Sequence, residues 1–88
     1  MVSQITRAAA SVPANIAEGR GRASRKDFAN FLAIAKGSLM ETETFLMLAV
    51  RLTYLSQVDA DPVFVLITEI SKMLTSLRSR LLAGADRG

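Results

Sequence analysis

The sequence contains no cysteine and no histidine. The first absence excludes disulfides and thiolate nucleophiles, and the two together exclude the usual zinc ligand sets. Without histidine the chain also lacks the one side chain whose unperturbed pKa lies near neutrality. Only carboxylates, amines and hydroxyls remain for chemistry, so we expect no enzyme, no metal, no cofactor and no small-molecule substrate. An absence of cysteine fits a cytoplasmic location, which is the location expected. Long hydrophobic runs are missing as well. A membrane-spanning helix needs roughly 18 apolar residues with few or no charges, whereas the longest uncharged run extends from Ala8 to Ala17 and contains Pro13. The first residues lack the basic start and apolar block of a signal peptide. No alternating strand pattern, internal repeat or low-complexity segment is present.

What the chain does have is a heavy apolar load on a short frame. Its 88 residues fit one domain, residues 1–88, yet half of them are hydrophobic. A chain this short buries a smaller share of its surface than a mid-sized domain does. Large exposed apolar patches are uncommon on soluble monomers, so the excess predicts a homo-oligomer or a docked partner. The formal charge of +3 permits an acidic partner such as RNA or DNA without requiring one.

The periodicity predicts three helices. The first covers about Ser3 to Glu18, with Ser3 as its cap and a stripe of Ile5, Ala9, Val12 and Ile16. Pro13 stands inside that stripe and frees the carbonyl of Ala9, which predicts a kinked helix. Gly19 has the residue type of a left-handed helix end. The second helix covers about Arg25 to Leu55, capped by Ser24 with Asp27 three residues on. Its seam is Phe28, Leu32, Ala35, Leu39, Thr42, Leu46 and Ala49, spaced four and three apart. A second stripe carries Phe31, Ile34, Phe45, Leu48, Leu52 and Leu55, and between Phe45 and Val50 the helix is apolar all round. We therefore expect an oligomer interface at Phe45, Met47, Leu48, Val50 and Leu52. After a loop at Ser56–Ala60, Asp61 and Pro62 read as a cap and first turn. The third helix is then about Pro62 to Ala83, ended by Gly84, with a frayed tail Ala85–Gly88. Its seam runs Val63, Leu66 or Ile67, Ile70, Leu74, Leu77 and Leu81. Short connections predict an all-α, antiparallel up-and-down bundle.

Several segments resemble a known family. Ser3-Gln4-Ile5-Thr6-Arg7-Ala8-Ala9 and Val12-Pro13-Ala14-Asn15-Ile16-Ala17-Glu18-Gly19 are similar to the signature of the four helix bundle proteins, also called rRNA intervening-sequence proteins. The stretch Phe28–Glu43, with Gly37-Ser38-Leu39 and Glu41-Thr42-Glu43, resembles them too, as does Glu69-Ile70-Ser71-Lys72-Met73-Leu74. The resemblance implies an up-and-down four-helix bundle, assembly as a ring-like homopentamer, and no enzymatic activity. Related accessory proteins of diversity-generating retroelements share that fold, are basic, bind nucleic acid and contact a reverse transcriptase. Members of the family carry a further helix before the motif that begins here at Ser3. The present chain therefore reads as three helices of such a bundle, whether as a short variant, a fragment or a late start.

The candidate nucleic-acid-binding residues are Arg20, Arg22, Arg25 and Lys26, four charges within seven residues, with Arg7 as a further member. Lysine and arginine neutralise backbone phosphates and give salt-dependent, sequence-independent affinity; the plain alternative is a solvated loop. No aromatic residue is interleaved with these charges, so base stacking is not expected. A second basic group, Lys72, Arg78, Arg80 and Arg87, follows the third helix, where the helix dipole alone favours positive charge. Glu18, Glu41, Glu43 and Glu69 lack the histidines of carboxylate-bundle metal sites; Glu18 and Glu41 are expected to pair with arginines such as Arg7 or to cap helix ends, in the bundle or at its interface. Asn15 is expected to satisfy backbone loosened by Pro13, and Met40, Met47 and Met73 to fill core or interface. The other reading is a protein-interaction module, without any nucleic-acid role, whose apolar groove receives a partner helix.

Overall fold

A computed structural model describes the backbone of residues 1–87 and the side chains of residues 1–84. It holds three helices, α1 (Val2–Arg20), α2 (Arg25–Arg51) and α3 (Gln57–Arg87), and no strand among the described residues. Each boundary has a local cause. Ser24 is extended, and its Oγ accepts from the Asp27 amide at 3.0 Å, which satisfies one orphan donor of α2. The expected end at Leu55 falls short by one turn. Thr53 adopts a left-handed φ of 62°, the Tyr54 amide donates to the Ala49 carbonyl at 2.9 Å, and the Thr53 amide donates to Val50 at 3.1 Å. That pair of bonds is the Schellman stop, here built on threonine where glycine is usual.

The start of α3 also differs from expectation. Ser56, not Asp61, is the cap: its Oγ accepts from the Asp59 amide at 3.1 Å. Pro62 consequently lies inside the helix, at its sixth residue. The carbonyl it leaves without a donor belongs to Val58, whose side chain is exposed, so water can reach that turn. Gly84 does not end α3, because the helix continues to Arg87. The expected fraying of Ala85–Gly88 otherwise falls outside the described residues. Gly19 is likewise helical: no glycine among the described residues has positive φ. Its purpose is close approach. A Cβ there would stand 2.8 Å from Phe28 Cδ1 and 2.8 Å from Phe31 Cβ, so only glycine lets α1 meet α2 at this level.

The helices run up, down and up around α2. Met1, Val2 and Ile5 at the start of α1 lie beside Leu46 and Ala49 near the end of α2, while Gly19 meets Phe28 and Phe31 near its start. Arg78 of α3 reaches Ala29 of α2 and Lys36 reaches Thr75, so α3 is antiparallel to α2 as well. α1 and α3 both pack on α2 but not on each other. The Cα envelope is 50 × 21 × 13 Å. Three helices on three corners of a square, with axes about 9–10 Å apart and Cα radii of about 2.3 Å, would span about 18 × 11 Å in cross-section. A close-packed triangle would span only about 14 × 13 Å on the same figures. The fold is thus a square bundle with one corner open.

Burial follows from that geometry. The central helix buries Ala29, Leu32, Ala35, Leu39, Thr42, Leu46 and Ala49, the seam read from its spacing except that Ala29 replaces the half-buried Phe28. Thr42, the buried polar residue of this seam, donates to the Ser38 carbonyl at 2.8 Å and is satisfied. On α3 the ambiguity between Leu66 and Ile67 resolves to Ile67, which is 4% exposed against 53% for Leu66. On α1 the buried set is Ala8, Val12 and Gly19 rather than the full stripe of Ile5, Ala9, Val12 and Ile16. Only α2 covers α1, so the face of α1 toward the open corner stays partly in solvent.

Candidate functional site

Antiparallel packing brings the C-terminal ends of α1 and α3 to the N-terminal end of α2. Six basic residues gather there: Arg20 from α1, Arg22 from the turn, Arg25 and Lys26 from α2, and Arg78 and Arg80 from α3. Among the described side chains, two acidic residues stand against them, Glu18 and Asp27. The opposite end has the reverse balance, with Glu41, Glu43, Asp59 and Asp61 against Arg7 and Arg51. The chain is therefore polar along its 50 Å axis. The segment Arg20–Lys26 does come together, and Arg78 and Arg80 join it, which spacing alone did not reveal because α3 lies more than fifty residues on. Arg7 does not join. It precedes Arg20 by thirteen residues on one helix, about 20 Å along the axis, and it shares a cleft with Glu41 and Phe45 instead. Arg87 contributes only backbone to the described residues.

These six cations are not equivalent. Arg22 donates from Nη2 to Glu18 Oε1 at 2.7 Å, and its guanidinium carbon lies 4.9 Å from the centroid of Phe31. Ion pair and ring contact together fold it back over the α1–α2 turn. The Arg25 guanidinium lies on Gly84, where any Cβ would collide with it, and so ties α2 to α3. Arg78 is half-buried and donates from Nε to the Ala29 carbonyl at 3.3 Å. Arg20, Arg25, Lys26 and Arg80 are exposed and have no ion pair or side-chain hydrogen bond among the described residues. They sit on three different helices. Of the expected carboxylate pairs, Glu18 finds Arg22, whereas Glu41 makes no ion pair among the described residues. No group of three acidic residues capable of holding a metal ion occurs among them either.

The second feature is the open corner. On the edge of α3 facing it, spacings of three and four bring Val63, Leu66, Ile70, Met73 and Leu77 into line. Val2, Ile5, Ala9 and Ile16 form the matching edge of α1. Val2, Leu66 and Met73 are more than half exposed. Where the start of α1 meets the α2–α3 turn, the groove deepens into a hollow of about 660 Å³ lined by Met1, Val2, Ile5, Leu46, Tyr54 and Leu55. The expected interface residues lie on the other side of α2 and do not form one face. Leu48 and Leu52 point outward with Ile34, Phe45 is half-buried toward α1, and Met47 and Val50 flank Phe64 of α3.

Asn15 has a task the kink argument did not give it. Its Nδ2 donates to the carbonyl and the Oγ of Ser11, at 2.8 and 2.9 Å, and Ser11 Oγ lies 2.9 Å from Ser38 Oγ of α2. The signature segment thereby links α1 to α2 through a short polar chain instead of repairing the Ala9 carbonyl.

These features define an all-α, up-and-down helical bundle with one open corner and one basic end, and no helix long and apolar enough to cross a membrane among the described residues. The profile of the family described as 23S rRNA-intervening sequence protein matches residues 1–76, and the chain belongs to that family. No curated protein and no solved structure shows a significant match.

Proposed function

We propose that the protein is a non-enzymatic, self-assembling helical bundle that binds nucleic acid as an accessory factor, through its basic end. The observation that carries this reading is the segregation of charge: among the described side chains, six basic residues stand against two acidic ones at the end where the termini of three helices meet. Cations held on rigid helix ends attract phosphates without reference to base sequence, and salt weakens that attraction steeply. Self-assembly is supported by the apolar surface that three helices leave uncovered, both along the open corner and on the outward side of α2 around Leu48 and Leu52. An assembly that repeats the basic end multiplies a weak single contact by avidity, as a homopentamer would. The test is retention on heparin across a salt gradient. The protein elutes late, and changing Arg20, Arg22, Arg25 and Lys26 together to alanine moves it toward the void; equal retention of that variant removes the basic end from the account.

A second reading rests on the open corner itself. The apolar edges of α1 and α3 flank a groove of helical dimensions over α2, which suits an amphipathic helix from a partner. On this reading the protein is a scaffold with no nucleic-acid role, and its heparin retention follows net charge alone.

A further inference from the structure

The open corner carries charge in an order that specifies the helix it accepts, which deepens the second reading above and rests on it. Both walls of the groove end in an arginine. On α1, Arg20 follows Ile16 by four residues and continues the edge of Val2, Ile5, Ala9 and Ile16. On α3, Arg80 follows Leu77 by three residues and Met73 by seven, and it lines one hollow with both. It therefore stands on the side of α3 that faces the corner, seven residues before that helix ends. Arg25 of α2 joins them at this end, with its guanidinium on Gly84, one turn beyond Arg80. All three arginines are exposed and have neither an ion pair nor a side-chain hydrogen bond among the described residues. At the far end of the groove Asp59 leads the α3 edge, four residues before Val63, and it too makes no ion pair among the described residues.

The direction of the walls turns this charge order into a preference. Both α1 and α3 run toward the arginine end. A fourth helix in an up-and-down bundle runs against both neighbours. Its N-terminus then meets the arginines, and its C-terminus meets Asp59. Acidic residues in the first turn of a helix and basic residues in the last are the charges its own dipole favours. The groove thus matches the charge order that an antiparallel occupant already prefers, whereas a parallel occupant would need the opposite order. We propose that the open corner is a docking groove for an amphipathic partner helix with acidic residues in its first turn, bound antiparallel to α1 and α3, with Arg20, Arg25 and Arg80 holding its acidic head. From Val2 to Arg20 the α1 wall rises about 27 Å, which suits an occupant of about 18 residues. The outward side of α2 stays free for self-assembly.

Two synthetic peptides of about 18 residues test the proposal. They share one apolar face and one net charge and differ in charge order: one has glutamates in the first turn and lysines in the last, and the other has the reverse. In fluorescence anisotropy at low salt the acid-headed peptide binds about 10-fold more tightly than the reversed one, and the gap narrows as salt rises. The variant Arg20→Glu/Arg80→Glu, altered only at exposed positions, keeps its helical circular dichroism and inverts the preference. A fluorophore at the N-terminus of the bound acid-headed peptide is quenched by a nitroxide on Ala23→Cys, in the α1–α2 turn, and a fluorophore at its C-terminus is not. Equal binding of the two peptides, or a preference that the charge reversal leaves unmoved, overturns the acidic head and leaves the groove standing. Binding of neither peptide refutes the helix-in-groove reading itself. If Leu66→Glu then also lowers the mass in sedimentation, the groove is covered by a second copy of this chain, and the proposal is overturned.

Discussion

Replacing Gly19 with alanine tests the closest contact in the fold. In an exposed helix interior the change is favourable by about 1 kcal/mol, because alanine loses less backbone entropy. At Gly19 the new methyl would stand 2.8 Å from Phe28 Cδ1 and 2.8 Å from Phe31 Cβ. The Phe28 ring can swing aside. Phe31 Cβ cannot, because it is fixed to the α2 backbone, so the helices themselves must separate. Overpacking of this kind costs about 1–3 kcal/mol, which cancels or exceeds the propensity gain. The control is Gly37, also inside a helix, where a Cβ meets nothing within 4 Å. Gly37→Ala is expected to stabilise by about 1 kcal/mol, and Gly19→Ala to be neutral or destabilising by up to about 2 kcal/mol. For a domain of this size each kcal/mol moves Tm by about 4–8 °C, so thermal melts followed at 222 nm resolve the pair. All melts need one fixed protein concentration, since self-association shifts apparent stability. Equal stabilisation by the two substitutions would refute the close approach of α1 and α2 at Gly19.

Two further substitutions probe the ends of the helices. Thr53→Gly relieves a β-branched residue of its left-handed φ of 62° and should raise stability by about 1 kcal/mol in urea titrations; a loss would show that Thr53 is not left-handed. Ser56→Ala should cost about 1 kcal/mol as a lost cap, while Asp61→Ala, which ends only an exposed bond to Gln57, should cost no more than about 0.5 kcal/mol. The reverse order would restore Asp61 as the start of α3.

The α2 seam was legible because α2 has a neighbour on both sides, so its alternation of three and four is buried over its whole length. The stripe of α1 was legible in part: Val12 is buried and Ile5 and Ile16 pack against the core, while Ala9 stays exposed because α2 alone covers α1. The start of α3 shows two local signals in competition. Ser56-Gln57-Val58-Asp59 repeats the Ser-x-x-Asp pattern that correctly marked Ser24 and Asp27, but Asp61-Pro62 offered a second cap with proline at a permitted position. The upstream cap prevails because it adds five residues of helix, including Ala60, which is fully buried. Gly19 misled in a different way, since its residue type fits a left-handed stop and a tight helix crossing equally well. The basic end was half legible. Arg20 to Lys26 are adjacent in sequence, whereas Arg78 and Arg80 reach them only through the antiparallel return of α3. No local pattern distinguishes Arg22 and Arg78, which find an ion pair or a hydrogen bond, from the basic residues that have neither among the described residues.

Sedimentation equilibrium over a wide concentration range tests the central claim, that these three helices leave apolar surface which the protein covers by assembling. The expected mass is a multiple of the 9.5 kDa chain. A compact species of 9.5 kDa at every concentration would contradict it.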